Sequence, residues 1–415
     1  MPTVNTGGII MEHGVFINDM AQAGYLKVDY SRFKDIEKIE NNSSTIDELN
    51  LEGDEISSLK AVGVNLYDNS LVGKFLIYGT NVYTSRPRIA GVEIIPLKEA
   101  LLLYPDIKAK YYFKAVDREQ DEVTRTAYKK EQNGYFIRVK KNVVVDIPIH
   151  TALFMHKENS VMCIHNIVVL EEGAQLHLIT GCTSGCTLKE GLHIAVSEHF
   201  VGKGAKLTNT MIHNWGSDFV VRPKTATIVE DDGTFVSNYY SVKPPKNIQT
   251  NPFTHLKGKN ASAKYMTVLA SLPNTYSDIG GTVLMTGENS GAELVARAVN
   301  HGGTVNQTGL LIGAAKGVRA HVDCSGLMLS TEGVIEAIPG LRAMHPDARM
   351  SHEAAIGKID TGEVNYLQSK GLEEMQAIAL IVRGFLDIGI EEEGFEPELQ
   401  KAIQQISELS GHGEE

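Results

Sequence analysis

Between residues 131 and 362 the chain alternates short apolar, β-branched runs with Gly, Asn and Asp, and hardly any stretch keeps the 3.6-residue period of a helix. Lys141–Ile147, Val161–Leu170, Leu176–Ile179, Ala205–His213 and Phe219–Val221 read as strands, and the punctuation between them as turns. The turns recur. Gly173, Gly204 and Gly233 open the similar segments Gly173-Ala174-Gln175-Leu176, Gly204-Ala205-Lys206-Leu207 and Gly233-Thr234-Phe235, separated by 31 and 29 positions; later corners at Gly291 and Gly317 lie 26 apart. Coils of this length bury an apolar face only by stacking on one another, which predicts a mainly β fold, a right-handed parallel β-helix, over residues 131–362. A β-sandwich is the competing architecture, but its turns come at shorter intervals.

The flanks read differently. Residues 1–130 mix helical and extended signals: Thr45 and Glu48 fit a capping box, Asp54 could cap a helix running through Ala61, and Leu97–Tyr104 and Asp106–Phe113 read as short helices parted by Pro105. Over residues 363–415 helices return. Leu372, Met375, Ile378, Ala379, Val382 and Leu386 form one apolar stripe, with Glu373 and Glu374 at its positive N-terminal end. Pro397 then opens a second amphipathic stretch through Leu399, Ala402, Ile403, Ile406 and Leu409.

Composition narrows the function. A net charge of −12 argues against nucleic acid as the main partner. The most apolar stretch, 377–382, is cut by Arg383, far short of the ~20 residues of a membrane span. No secretory leader pattern opens the chain, and four cysteines in 415 residues are too few for a disulfide scaffold, so a cytoplasmic protein with reduced thiols is expected. There is no G-x-x-x-x-G-K-[ST], H-E-x-x-H, G-x-S-x-G or dinucleotide fingerprint.

Cys324 precedes the pair His352–Glu353 by 28 positions, close to one coil, so stacking would bring a thiol near an imidazole and a carboxylate, a mixed-donor set suited to iron or zinc. Taken alone, a strand cysteine is more often a small core residue. Alternation also sends His352 and Glu353 to opposite faces, so at most one joins Cys324 directly. Three donors with one sulfur fall short of a closed zinc or cluster site, which implies an exchangeable site or one completed by a second subunit. Cys182 and Cys186 form a C-x3-C, not a redox or zinc C-x-x-C. One 31-residue coil beyond Cys182 stands His213, whose imidazole could favour the thiolate. Cys163 reads as core.

These residues, taken in order, resemble the SufB/SufD family of iron–sulfur cluster assembly scaffolds, its SufB branch in particular. The resemblance rests on Asn142-Val143-Val144-Val145-Asp146-Ile147-Pro148, Gly181-Cys182-Thr183, His213-Asn214-Trp215, Cys324, His352-Glu353-Ala354 with Lys358-Ile359, and the stretch Gly371–Leu386. It implies a β-helix dimerised with itself or a SufD-like paralogue and complexed with SufC, an ABC-type ATPase through which alone ATP would act. It further implies a transient iron–sulfur cluster on Cys324 with His352 and Glu353 as candidate co-ligands, and Cys182 as acceptor of sulfur from a donor protein. The β-helix interior would carry sulfur between the two cysteines, and apo iron–sulfur proteins would receive the product. Ser184-Gly185 stands where the family has Ala-Pro, Cys186 is additional, and Gly333 lies near the place of a second SufB cysteine. The chain itself would be a non-hydrolytic scaffold. A β-helix carbohydrate-active enzyme, or a structural zinc or interaction protein, are the alternatives of other classes; few Asp or Glu recur at coil-length offsets, which disfavours the first.

Overall fold

The computed structural model describes residues 26–35, 44–46, 49–68, 71, 73–85, 87, 89–130, 133–388 and 404. Short strands come first: β1 (Lys34–Asp35), β2 (Ser44–Thr45), β3 (Lys74–Tyr78), β4 (Asn81–Thr84), β5 (Val92–Pro96) and β6 (Tyr135–Val139). The chain then winds between two walls. One wall stacks β7 (Ile149–Met155), β9 (Gln175–Ser184), β11 (Lys206–Asn214), β13 (Thr234–Lys243), β16 (Ser262–Ser271), β18 (Gly291–Asn300), β20 (Arg319–Met328) and β22 (Arg349–Lys358). The other stacks β8 (Ser160–Leu170), β10 (Gly191–Val201), β12 (Val220–Val229), the broken pair β14 (Asn247–Thr250) and β15 (Phe253–Leu256), β17 (Tyr276–Met285), β19 (Thr304–Gly313) and β21 (Val334–Ala343). Neighbours in each wall pair in parallel, about eight coils in all, so the expected parallel β-solenoid is the fold.

A ladder of left-handed residues builds one corner. Asn142, Gly173, Gly204, Asp232, Asn260, Asn289 and Gly317 all have φ between 55° and 73°, at intervals of 28 to 31 residues. Each of the first six donates its backbone N–H to a carbonyl of the next coil, at Glu172, Lys203, Asp231, Lys259, Glu288 and Lys316. Only Gly, Asn and Asp visit this conformation readily. At Gly173 a Cβ would also lie 2.4 Å from the Asn142 side-chain oxygen. The residues just before the ladder positions, Lys141, Glu172, Lys203, Asp231, Lys259, Glu288 and Lys316, alternate in charge; Lys141 and Glu172 are 2.7 Å apart, Lys259 and Glu288 4.0 Å. Two sequence expectations are corrected here. Gly233 and Gly291 sit one and two residues past the true corners, because Asp232 and Asn289 take the left-handed position, so the apparent drift to 26 disappears. Lys141–Ile147 is likewise no strand: it turns at Asn142 and touches the stack through one bridge, Val144 to Gln175.

Among the described residues these α-helices flank the solenoid: α1 (Gly53–Ala61), α2 (Leu97–Leu103), α3 (Pro105–Lys110), α4 (Glu122–Lys130), α5 (Thr361–Ser369) and α6 (Glu374–Leu386). Glu52, not Asp54, caps α1, in a reciprocal box with Glu55. Pro105 opens α3, where its missing N–H costs nothing. Of the proposed Thr45–Glu48 box, Glu48 lies outside the described residues, as does all but Gln404 of the expected amphipathic stretch from Pro397 through Leu409. Among the described residues no helix is long and apolar enough to cross a membrane.

Both faces of the early strands are covered, so β8 is buried along its whole length. Inside, one apolar cluster runs the length of the lumen and contains Cys182 and Cys324. Outside, α1 with Val62, Val64 and Leu66 covers one end of the first wall, and Val382 and Leu386 of α6 join the same outer layer. The other wall is covered by α4 and the 113–116 segment. That segment is pinned by Glu198, wholly buried on β10, whose carboxylate accepts the N–H groups of Phe113, Lys114, Ala115 and Val116 at 2.7, 2.7, 2.6 and 3.0 Å and lies 2.8 Å from His165 Nε2.

Candidate functional site

Strand β20 carries Cys324 near the end of the solenoid. Its coil to β22 is 30 residues, two longer than the 28 assumed from sequence, because the register sets Val322 beside His352, Asp323 beside Glu353 and Cys324 beside Ala354. Alternation then gives a split site. Cys324 and His352 share the inner face, diagonal neighbours about 8 Å apart at Cα by strand geometry; Glu353 stands on the outer face over Asp323. Cys324 is 3% exposed, whereas His352 and Glu353 are exposed on the terminal strand. Among the described residues no three His, Cys, Asp or Glu side chains stand close enough to hold a metal ion. The donor set of one chain is therefore incomplete in space as well as in number.

Among the described residues, no further strand covers the end. β21 and β22 are the last strands of their sheets, and Val334, Ile338, Met344 and Ile356 are exposed there. On the outer face Arg297 Nη2 sits 2.6 Å from Asp323 Oδ2, and Ser325 Oγ donates to the other carboxylate oxygen at 3.1 Å. Burial opposes ionisation of Asp323, but the Arg297 hydrogen bond and charge outweigh it and hold the carboxyl below its usual range. The same guanidinium lies 6.0 Å from the Phe385 ring of α6, so the strand of Cys324 and the C-terminal helix share one cation. Burial first, and the Asp323 charge second, push the Cys324 thiol up to about 11.

At the far end of the same lumen the expected pair forms: Cys182 and His213 are in register on β9 and β11. The expected activation does not. Cys182 is wholly buried, and desolvation pushes its thiol well above the usual range; desolvation, then nearby His193, pulls His213 down to about 3. Both stay neutral. His213 Nδ1 lies 3.1 Å from Tyr239 Oη, while the Cys182 sulfur lies 3.4 Å from Met211 Sδ. Beside them His193 Nδ1 and Trp215 Nε1 are buried without a hydrogen-bond partner among the described residues, their rings 4.9 Å apart. Sequence reasoning missed this lining, although Met211 was legible as the lumen position two residues before His213.

Cys163 faces outward beneath α4, its thiol 3.8 Å from the Ala127 carbonyl, a core position as expected. Cys186 is exposed in the turn after β9 and hydrogen-bonded to Asp54 Oδ2 at 3.2 Å, which raises its pKa. Access therefore orders the thiols. In the native protein iodoacetamide should label Cys186 first and Cys324 later, with Cys182 protected, as peptide mass spectrometry would read. A Cys324 pKa raised by folding means that its contribution to stability is full below the unfolded value of about 8.5 and lost as pH rises toward 11, so its native labelling should climb across that window. Equal labelling of native and urea-unfolded protein at pH 8 would contradict this burial.

The C-terminal stripe is partly rotated from expectation. Of its residues Val382 and Leu386 are buried, as is Ala377 outside the stripe, but Met375 is about half exposed, as is Leu380 beyond it. Between α5 and α6 lies a mainly apolar groove of about 460 Å³ lined by Tyr366, Leu367 and Ile381 among others.

The family model for the SUF system FeS cluster assembly SufBD core domain matches residues 153–385, from the lumen of Cys182 through the site of Cys324 to α6. The chain belongs to the SufBD family. An iron–sulfur cluster assembly SufBD family protein of Archaeoglobus fulgidus is 42% identical over 352 residues, 85% of this chain and 94% of that protein. SufBD family proteins of Methanothermobacter thermautotrophicus (strain Winter) and Pyrococcus horikoshii are 36% and 31% identical, over 86% and 76% of this chain and 87% and 71% of their own lengths. A SufBD protein is an iron–sulfur cluster assembly protein, and both lumen cysteines lie inside the matched core.

Proposed function

We propose that this SufBD protein is a SufB-type scaffold, one that holds a nascent iron–sulfur cluster, releases it to apo-proteins and hydrolyses nothing itself. The observation that supports this most is the position of Cys324, one strand inside the solenoid end, with His352 on the same inner face one strand further out. One chain offers a single thiolate there, whereas stable clusters commonly take four. A second copy, or a SufD-like paralogue, meeting the chain at this end would supply the missing donors and cover the exposed Val334, Ile338 and Ile356. Glu353, on the rim of the outer face, is the remaining candidate ligand. Mixed oxygen, nitrogen and sulfur donors at a rim hold their cargo loosely, which suits hand-over better than storage.

Sulfur would enter as a persulfide on Cys182, delivered by a donor protein whose docking first exposes that buried thiol, and move toward Cys324 through the lumen; His193 Nδ1 and Trp215 Nε1, without a partner among the described residues, give that chamber polar contacts for a guest. The chain lacks a phosphate loop. A SufC-type ABC ATPase, seated at the groove between α5 and α6 beside Met375 and Leu380, would supply ATP hydrolysis, and Arg297 would link that helix to the strand of Cys324. A reducing cytoplasm is the compartment in which such thiols persist.

Anaerobic reconstitution with ferrous iron and inorganic sulfide tests the reading. The wild-type protein should gain visible cluster absorption and sediment as a dimer, and Cys324→Ser should lose nearly all of that absorption. A Cys324→Ser protein that reconstitutes like wild type would refute it.

A further inference from the structure

Against Cys324 lies a cavity of about 20 Å³, enough for about one water-sized guest. Two columns of small residues line it beside larger side chains such as Tyr265, Leu294 and Val322. On one wall Thr267, Ala296 and Cys324 stack in register. On the other Gly281 and Gly309 pair directly. A Cβ on Gly309 would come within 3.0 Å of Val322 Cγ1, and one on Gly281 within 3.2 Å of Leu294 Cδ2, so a side chain at either position would crowd the opposite wall. Gln307, on the same inner face two residues before Gly309, is 1% exposed. Its Nε2 donates to the Ser325 carbonyl at 3.4 Å, next to Cys324. Its Oε1 is buried with no hydrogen-bond partner among the described residues. An acceptor of this kind, unpaired beside a cavity, costs free energy unless a donor arrives to meet it.

We propose that this cavity is a receiving chamber for one sulfane sulfur atom, in which Gln307 is the positioning residue that accepts the terminal S–H of a persulfide on Cys324. A persulfide adds a single sulfur with one proton, and one donor for one vacant acceptor is what the chamber offers. The inference rests on Cys324 being the thiol at which the cluster grows. The step balances without an oxidant. The Cys324 sulfur attacks the terminal sulfur of a small persulfide, the new S–S bond forms as the old one breaks, and the leaving thiolate takes up the proton Cys324 gives up. A cluster does not fit the same space, so assembly beyond the first sulfur requires the solenoid end.

The probe is hydrogen disulfide, HS–SH, added anaerobically to the full chain, with intact and peptide mass spectrometry as readout. Wild type should carry one extra sulfur, +32 Da, on Cys324, and none more. Ala296→Val, which fills the chamber from the wall beside Cys324, should cut that fraction about tenfold. Gln307→Leu should form the persulfide but lose it to dithiothreitol about tenfold faster, roughly the worth of one buried hydrogen bond, while Gln307→Glu, which keeps an acceptor oxygen, should restore the lifetime. Melting curves screen the variants for folding, and Gly309→Ala fills the chamber from the opposite wall if Ala296→Val does not fold. Unchanged loading in the filled variants, an unchanged lifetime in Gln307→Leu, or several sulfurs on Cys324 would overturn the proposal. Reconstitution of wild type and Cys324→Ser with inorganic sulfide needs no persulfide. It reports on the scaffold reading separately, so a wild type that builds a cluster yet takes no extra sulfur fails this inference alone.

Discussion

Replacing Glu198 by alanine is expected to cost about 3–5 kcal/mol, the size seen when one partner of a buried charged network is removed. The variant leaves four consecutive backbone N–H groups of residues 113–116 without the carboxylate that accepts them, and removes its contact with His165 Nε2. The chain turns there through Phe113 at φ 52°, and the four N–H groups converge on this one carboxylate. Glu198→Gln should fall between wild type and alanine: one oxygen still serves Lys114, Ala115 and Val116, but an NH₂ group now confronts the Phe113 N–H. Urea denaturation measures the loss, and limited proteolysis near residue 113 locates it. A Glu198→Ala protein within 0.5 kcal/mol of wild type would show that the network carries little of the docking of α4.

The second large effect concerns sulfur. With a protein donor presenting labelled sulfur, Cys182→Ala should reduce label on Cys324 at least tenfold while leaving iron and sulfide reconstitution to the other cysteine. Five strand spacings of ~4.8 Å separate β9 from β20, about 24 Å, and no thiol stands between them in the lumen: Cys163 faces α4, and Cys186 lies outside. Losing Cys182 therefore removes the one lumen thiol at that end. Alanine is preferred to serine here because a buried hydroxyl without a partner would add a stability cost of its own. Full labelling of Cys324 in the Cys182→Ala protein would end the relay role.

Much of this was legible from residue order. Strand alternation and turn residues announced stacked coils, and the 31-residue offset placed His213 on Cys182 correctly. The same arithmetic failed at Cys324, because coil length is set locally by each turn and the last coil is two residues longer. A shift of two keeps the face, so His352 remained an inner-face neighbour; a shift of one would have reversed it. Protonation was not legible either. Adjacent thiol and imidazole suggested a thiolate, but depth of burial decides, and burial depends on elements far away in the chain. Nor could pattern show Gln307 facing a cavity, since that requires knowing which opposing residues are small. That α6 leaves Met375 about half exposed is again a tertiary fact.

The alternating lysines and acids along the left-handed corner carry a consequence for how such a molecule could change length. Excising a single rung from the middle of that edge would set lysine against lysine or acid against acid, whereas excising two restores opposite neighbours. Growth or shrinkage of this scaffold should thus proceed by even numbers of rungs, and engineered deletions of one rung should be tolerated less well than deletions of two.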